Sequence, residues 1–204
     1  MSLPSVRPYR ASDRADVAEI CVRTGNDGAD ASGIYANPEI LADVYALPYV
    51  DLEPGLDLVV DTGARVAGYL LAVADTRAFV ERYRREWLPA FESKYGAAAS
   101  APSPDDRLIA AGSDPERMLI PGLDQYPAHL HIDLLPELQG QGFGRELIQR
   151  LLVELNSLGV PGVHLGVSET NRGARAFYAR LGFRPLASGG AGGILLGIST
   201  GASC

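Results

Sequence analysis

The sequence predicts an α/β (α+β) domain in which helices flank a central mixed, mostly antiparallel sheet of about seven strands. Three observations carry that prediction. Ala128 to Arg145, AHLHIDLLPELQGQGFGR, passes from a β-branched and leucine-rich run through a loop of alternating glycines into a helix that begins near Phe143. Leu56 to Asp61 and Arg65 to Val73 are two apolar runs on either side of Thr62-Gly63, the pattern of an antiparallel hairpin. After the glycine loop, an apolar helix followed by Gly162 to Val167 makes a strand, helix, strand unit whose right-handed crossover returns a parallel strand.

The remaining elements follow in order. Ser5 to Arg10 reads as a short strand, and Ser12-Asp13 supplies an N-cap and an acidic first turn for a helix through Val17, Ile20, Cys21 and Thr24. Gly25 to Gly33, GNDGADASG, is irregular, and reads either as a flexible connection or as a substrate-side loop. Pro38 to Leu47 predicts a second helix, with Pro38 just inside its start and Ile40, Leu41, Val44 and Tyr45 on one face. The hairpin comes next.

Residues 75–128 then read as a helical insertion between the third and fourth strands. Thr76 to Tyr95 sets Phe79, Val80, Tyr83, Trp87, Leu88 and Phe91 at helical spacing, with Pro89 marking a kink. Acids interleave with Arg82, Arg84 and Arg85, so this helix is expected to pack on its own domain and not to bind nucleic acid. Gly96 to Pro104 is an exposed loop tract, and Asp105 to Ala111 and Pro115 to Leu119 are short helical turns. Beyond the glycine loop, Phe143 to Leu158 places Leu147, Ile148, Leu151, Leu152 and Leu155 on one face and stops at Gly159. Asn171 to Leu181 is the next helix. Phe183 to Ala187 and Gly193 to Ser199 close the sheet, joined by a loose SGGAGG turn.

Composition bounds the function. A chain of 204 residues with 47% hydrophobic content buries one core, so residues 1–204 are read as a single domain. A net charge of −7 argues against a nucleic-acid surface and suits a cationic partner. Cys21 and Cys204 do not make a disulfide scaffold. The opening MSLPSVRPYRASDRADV lacks an apolar core and no window approaches 18 apolar residues, so a cytoplasmic protein without membrane contact is expected.

The glycine loop is the chemical signal. Glycines remove side chains so that backbone N–H groups approach a ligand closely, and the following helix presents its unpaired first-turn N–H groups, which suits a pyrophosphate. A dinucleotide GxGxxG fails because Arg145 stands three after Gly142, and a P-loop fails because the only lysine is Lys94, followed by Tyr95. Gln139-x-x-Gly142-x-Gly144 fits the pattern Q/R-x-x-G-x-G/A instead, and with it the sequence resembles the GNAT superfamily of acyl-CoA-dependent acetyltransferases. FVERYRREWLP, YPAHLHIDLLP and PGVHLGV further resemble the acetyltransferase-like domain at the C-terminus of animal O-GlcNAcases and its free-standing bacterial relatives, over Asp75 to Pro185. The animal domain is regarded as a pseudo-acetyltransferase; here Gln139, Gly142 and Gly144 are intact, which favours cofactor binding.

The resemblance implies a GNAT fold with splayed parallel fourth and fifth strands, the pantetheine arm of acetyl-CoA lying between them as an added strand. It implies backbone contacts from Leu134 and Leu135, with Pro136 ending the ladder at a bulge, and a pyrophosphate wrapped by Gln139, Gly140, Gln141, Gly142, Phe143, Gly144 and Arg145. NRGARAFYARLGF, Asn171 to Phe183, resembles the second superfamily motif: Asn171 would bond the pantetheine, Ala174 would let it pass, Phe177 would pack along it and Arg180 would assist at the phosphates. Tyr178 is the implied acid for the leaving thiolate.

An amine acceptor also needs a base. His129, His131 and Asp133 alternate on the fourth strand and share a face, so Asp133 is the first candidate, His131 the next and Glu169 a third. A metal reading of HxHxD fails, since Leu134 stands where a further ligand would be needed and only His164 remains elsewhere. Gly166-Val-Ser168-Glu-Thr lacks the second glycine of a hydrolase elbow. The expected activity is N-acetylation by direct attack in a ternary complex, with acetyl-CoA as cosubstrate, no metal, and a small-molecule or peptide amine as acceptor. The alternative is a non-catalytic module binding acetyl-CoA or a protein partner. Exposed faces on the closing strands would serve a homodimer.

Overall fold

A computed structural model describes residues 3–96, 103–186 and 193–201. The chain runs β1 (Ser5–Pro8), α1 (Arg14–Thr24), α2 (Ile40–Tyr45), α3 (Leu47–Leu52), β2 (Leu58–Asp61) and β3 (Val66–Val73). An insertion follows, α4 (Thr76–Arg82), α5 (Leu88–Tyr95) and α6 (Pro104–Ser113). The second half is β4 (Ala128–Leu134), α7 (Phe143–Ser157), β5 (Gly162–Val167), α8 (Arg172–Arg180), β6 (Arg184–Pro185) and β7 (Ile194–Ser199). These strands form one open sheet in the order β1-β2-β3-β4-β5-β7-β6, antiparallel except between β4 and β5.

The sheet's centre is set by β3, VAGYLLAV, buried at every position because helices cover both of its faces. β4 pairs with it without a register break from Gly68↔Leu134 to Val73↔His129. The bulge expected near Pro136 is absent from this ladder. Pro136 instead opens a 3-10 turn, Pro136–Leu138, that carries the chain off the sheet.

Two helix readings need correction. Asp13 does not cap α1 with its side chain; its carboxylate takes the Arg10 N–H at 2.8 Å and pairs with both terminal nitrogens of Arg7 at 2.7 and 2.9 Å. The second helix starts after Pro38 and is two helices, broken at Ala46 (φ −130°, ψ −55°). Pro48 has no N–H to offer the Val44 carbonyl, so the chain must restart as α3. The same chemistry explains the insertion, where a π-helical turn, Tyr83–Trp87, precedes Pro89 and absorbs its missing donor.

The insertion packs on the domain as expected. Phe79, Val80, Tyr83 and Phe91 are buried, the Tyr83 hydroxyl donates to the Gly112 carbonyl at 2.9 Å, and a methyl group at Gly112 would strike the Phe91 ring. Its outward arginines are engaged, Arg82 and Arg85 with Glu86 and Arg84 with Glu116. Residues 97–102, most of the SGGAGG turn (187–192 are undescribed) and Cys204 lie outside the described residues. Among the described residues, no helix is long and apolar enough to cross a membrane.

One buried acid serves no such pairing. The Asp57 Oδ1 accepts the Ala72 N–H at 3.0 Å while Oδ2 has no partner, and burial pushes the carboxyl up to about 8. In the unfolded chain it ionises near pH ~4. The unfolded state therefore sheds this proton first, and its contribution to stability falls as the pH rises from about 4 to about 8. Asp57→Asn keeps the shape without the charge. It is expected to be more stable than the wild type above neutrality in urea titrations, by at most about 4 kcal/mol at pH 7, with a flatter pH profile; parallel profiles for the two proteins would contradict the assignment.

Candidate functional site

β4 and β5 pair only at Ala128↔Val163 and His129↔His164. Beyond these two pairs the strands diverge while β4 remains bonded to β3 on its other side. The Leu135 N–H donates to the Ala67 carbonyl at the start of β3 at 3.0 Å, so by the two-residue period Ile132 and Leu134 turn their backbone groups toward the opening. The Leu134 carbonyl there accepts the Gln139 side-chain amide at 2.9 Å.

The opening is a cleft of about 910 Å³, bordered by Ile132, Asp133 and Leu134 on β4, by the glycine loop, and by α8 along its length. Gly140 (φ +72°) and Gly142 (φ +93°) adopt the left-handed backbone that glycine tolerates, and Gly142 is the N-cap of α7. Gly144 sits beneath Phe177, whose ring a Cβ would meet at 3.0 Å. From α8, the Asn171 Oδ1 caps the helix by accepting the Ala174 N–H at 2.9 Å. Arg145, Arg172 and Arg180 bring three guanidinium groups to the cleft of an otherwise acidic protein.

Most of the expected residues meet here: Asp133, Leu134, Gln139, Gly140, Gly142, Gly144, Arg145, Asn171, Ala174, Phe177, Tyr178 and Arg180 all line the cleft. Three do not. Leu135 is fully buried with its N–H spent on β3, Gln141 turns its amide to the Glu137 carbonyl, and Phe143 packs against the core. The Leu135 carbonyl accepts the Leu138 N–H at 2.9 Å, so both of its backbone groups are engaged and the backbone contacts expected of it are not offered to the cleft.

Tyr178 and Asp133 both border the cleft. Tyr178 is 7% exposed, wedged between Phe177 and Phe183, and burial together with the charge of Asp133 holds its phenol protonated by pushing its pKa up. Asp133 accepts the Tyr69 O–H at 2.5 Å. Burial pushes its carboxyl up, opposed by the hydroxyls of Tyr69 and Thr24. Glu169 is exposed on the loop before α8 and does not border the cleft. His129, His131 and His164 gather beside the paired ends of β4 and β5 and do not line the cleft, and among the described residues no group of three or more metal-ligating side chains is placed to hold an ion.

The loop after α1, read as a flexible connection or a substrate-side loop, supplies one wall of the cleft through a contact that the sequence did not reveal. Asp27, at φ +52°, accepts the hydroxyls of Ser168 and Thr170, and so ties the Gly25 to Gly33 loop to the end of β5. Thr24, Asp27, Gly28 and Thr170 join the cleft lining as a result. No local pattern pointed to this contact, because it joins residues more than a hundred positions apart.

The cleft fits the pantetheine and pyrophosphate of a coenzyme A thioester: an unpaired strand edge, a glycine-lined helix N-terminus and three cations adjoin. Comparison with known proteins agrees. The chain is 46% identical to SsHAT, whose crystal structure covers 98% of this chain and 100% of its own with a TM-score of 0.93. A putative acetyltransferase, YncA of Salmonella typhimurium, solved with its cofactor acetyl-CoA, shares the fold at 16% identity and a TM-score of 0.57, covering 98% of this chain and 95% of its own. Protein O-GlcNAcase of Rattus norvegicus is 23% identical over 87% of this chain, which spans only 20% of that protein's length. The model of the acetyltransferase (GNAT) family matches residues 47–183. On this match and the relationship to SsHAT, the chain belongs to the acetyltransferase (GNAT) family.

Proposed function

We propose that the protein transfers an acetyl group from acetyl-CoA to a primary amine by direct attack in a ternary complex. The observation that carries this reading is that a protonated phenol, Tyr178, and a half-buried carboxyl, Asp133, line one cleft at the strand edge where a thioester would lie. YncA with acetyl-CoA, and PaiA N-acetyltransferase of Thermoplasma acidophilum in complex with coenzyme A, support the choice of cosubstrate.

In this reading Ile132 and Leu134 bond the pantetheine amides, Asn171 orients it through its Nδ2, and the loop from Gln139 to Arg145 receives the pyrophosphate with Arg180 beside it. The N–H groups of Gln141 and Phe143 contribute through the backbone alone. Expelling a thiolate needs a proton donor, and a buried phenol retains its proton for that step. An amine arrives as an ammonium with no lone pair. Asp133, made more basic by burial, takes its first proton. The small-molecule or peptide acceptor enters from the α1 side, past Thr24 and Asp27.

Two measurements separate this from a module that binds without turnover. Calorimetry should register acetyl-CoA, and thiol release should appear with at least one amine of a broad panel; heat without thiol release by any acceptor would favour the non-catalytic alternative. Tyr178→Phe should lower kcat on the order of a hundredfold and leave acetyl-CoA affinity nearly unchanged; an undiminished kcat would remove Tyr178 from the mechanism. Gly142→Ala tests the loop, because nothing lies within 4 Å of the added methyl and only the left-handed backbone resists it. It should weaken acetyl-CoA roughly tenfold, the equivalent of about 1.4 kcal/mol. Equal affinity would show that the loop conformation does not contribute.

A further inference from the structure

The charged side chains that border the cleft are Arg145, Arg172, Arg180, Asp27 and Asp133. The transfer reading gives the arginine-lined end to phosphates and Asp133 to the attacking amine. It leaves Asp27 without a task.

Backbone bonds fix where Asp27 stands. Asn26 and Ala29 exchange N–H to carbonyl bonds at 3.0 and 2.9 Å, and Asp27 (φ +52°) and Gly28 (φ +90°) occupy the two positions between them. Positive φ at both is the pattern of a type I′ turn, which the sequence Asp-Gly favours. The turn is tied to α1, since the Gly28 N–H donates to the Thr24 carbonyl and the Ala31 N–H to the Val22 carbonyl, each at 2.9 Å. Asp27 is therefore presented to the cleft from the tip of a closed turn.

Its carboxylate is held by hydroxyls alone. Oδ2 accepts from Ser168 and Thr170, and among the described residues no lysine or arginine pairs with either oxygen. Oδ1 keeps its lone pairs for a ligand. Thr24 links this acid to the other: its hydroxyl steadies the Asp133 carboxyl, and Asp27 follows three residues later, no more than about 11 Å along the chain. An amine seated at Asp133 thus has a second carboxylate within reach of a short aliphatic chain.

We infer that Asp27 determines acceptor specificity by pairing with a second ammonium group, so that the substrate is a short diamine or another amine carrying an additional cation a few methylenes from the reacting nitrogen. This rests on the transfer reading above. The pair lies away from the bonds that change, so it stabilises the bound acceptor and the transition state alike and acts on KM. A monoamine satisfies only Asp133, and an amine with a carboxylate at its far end meets a like charge.

Three acceptors of similar length separate these cases: putrescine, butylamine and γ-aminobutyrate end in an ammonium, a methyl and a carboxylate. With the whole chain at saturating acetyl-CoA, kcat/KM from thiol release should fall in that order. Putrescine should exceed butylamine about fivefold per amine, the upper end of what a solvent-screened ion pair gives. The preference should reside in KM and shrink as salt is raised. Butylamine equal to putrescine, or γ-aminobutyrate above butylamine, overturns the inference, the second because an arginine of the cleft would then be reading an acidic acceptor. Asp27→Asn removes the charge and preserves the turn, because asparagine tolerates the left-handed backbone and its amide oxygen still accepts the two hydroxyls. It should bring putrescine, per amine, down to the level of butylamine while acetyl-CoA affinity by calorimetry stays near wild type; an undiminished preference overturns the role of Asp27. Active wild type without the preference overturns this inference alone, whereas wild type that releases no thiol with any amine overturns the transfer reading with it.

Discussion

Two residue pairs hold β4 to β5, and the strand edge that opens past them is the constraint on which the molecule depends. Backbone N–H and C=O groups withdrawn from water need partners. β3 supplies them on one side of β4 from His129 to Leu134. On the other side the Gln139 amide covers the Leu134 carbonyl, so a side chain from the glycine loop reaches back to the strand that leads into it. The loop and the strand edge are therefore one unit, and Pro136 makes them so by ending the ladder and turning the chain toward α7.

Charge is sorted along this opening. The loop and the start of α8 carry arginines beside a helix N-terminus, which suits anionic phosphates, while Asp133 lies deeper beside hydroxyl groups and aromatic rings. Burial acts in opposite senses on the acidic and basic groups there. It pushes Tyr178 and Asp133 up, so that one keeps its proton and the other becomes more basic, and it pushes His129 and His131 down. One low-dielectric environment thus keeps a phenol protonated and leaves two imidazoles neutral.

What could be read from the sequence was what local chemistry determines. The glycine loop that leads into α7, the apolar face of that helix and the start of the next helix at Asn171 were visible within windows of a few residues. The break at Ala46 was not, because the apolar periodicity of Ile40 to Tyr45 continues across it and only the missing N–H of Pro48 interrupts the helix. Leu135 was assigned by its place in a motif, yet the side of the strand its N–H faces is set by register with β3. The contacts of Asp27, Tyr49 and Thr76 were missed for a common reason: each joins residues at least fifty positions apart, and no periodicity encodes such a contact.

The last of these contacts changes how the insertion is understood. Thr76 is the first residue of α4, a helix capped by the Asp75 carboxylate, and both its N–H and its hydroxyl end on the Pro127 carbonyl, at 2.8 and 2.6 Å. These two residues are the neck of a loop of some fifty residues, so closing it there confines the entropy of the insertion to its outer part. Tyr49 is stacked on Phe79 of the same helix, with ring centroids 4.7 Å apart. The Tyr49 Oη lies 2.8 Å from the His129 Nε2, and the Thr76 Oγ1 lies 2.8 Å from its Nδ1. The groups that orient His129 are thus fixed by the first turns of the insertion, and β4 has this ring held from outside the sheet. A chain with β3 joined directly to β4 by a short turn would keep the sheet and the glycine loop, but it would lack the hydroxyl that meets the His129 Nδ1.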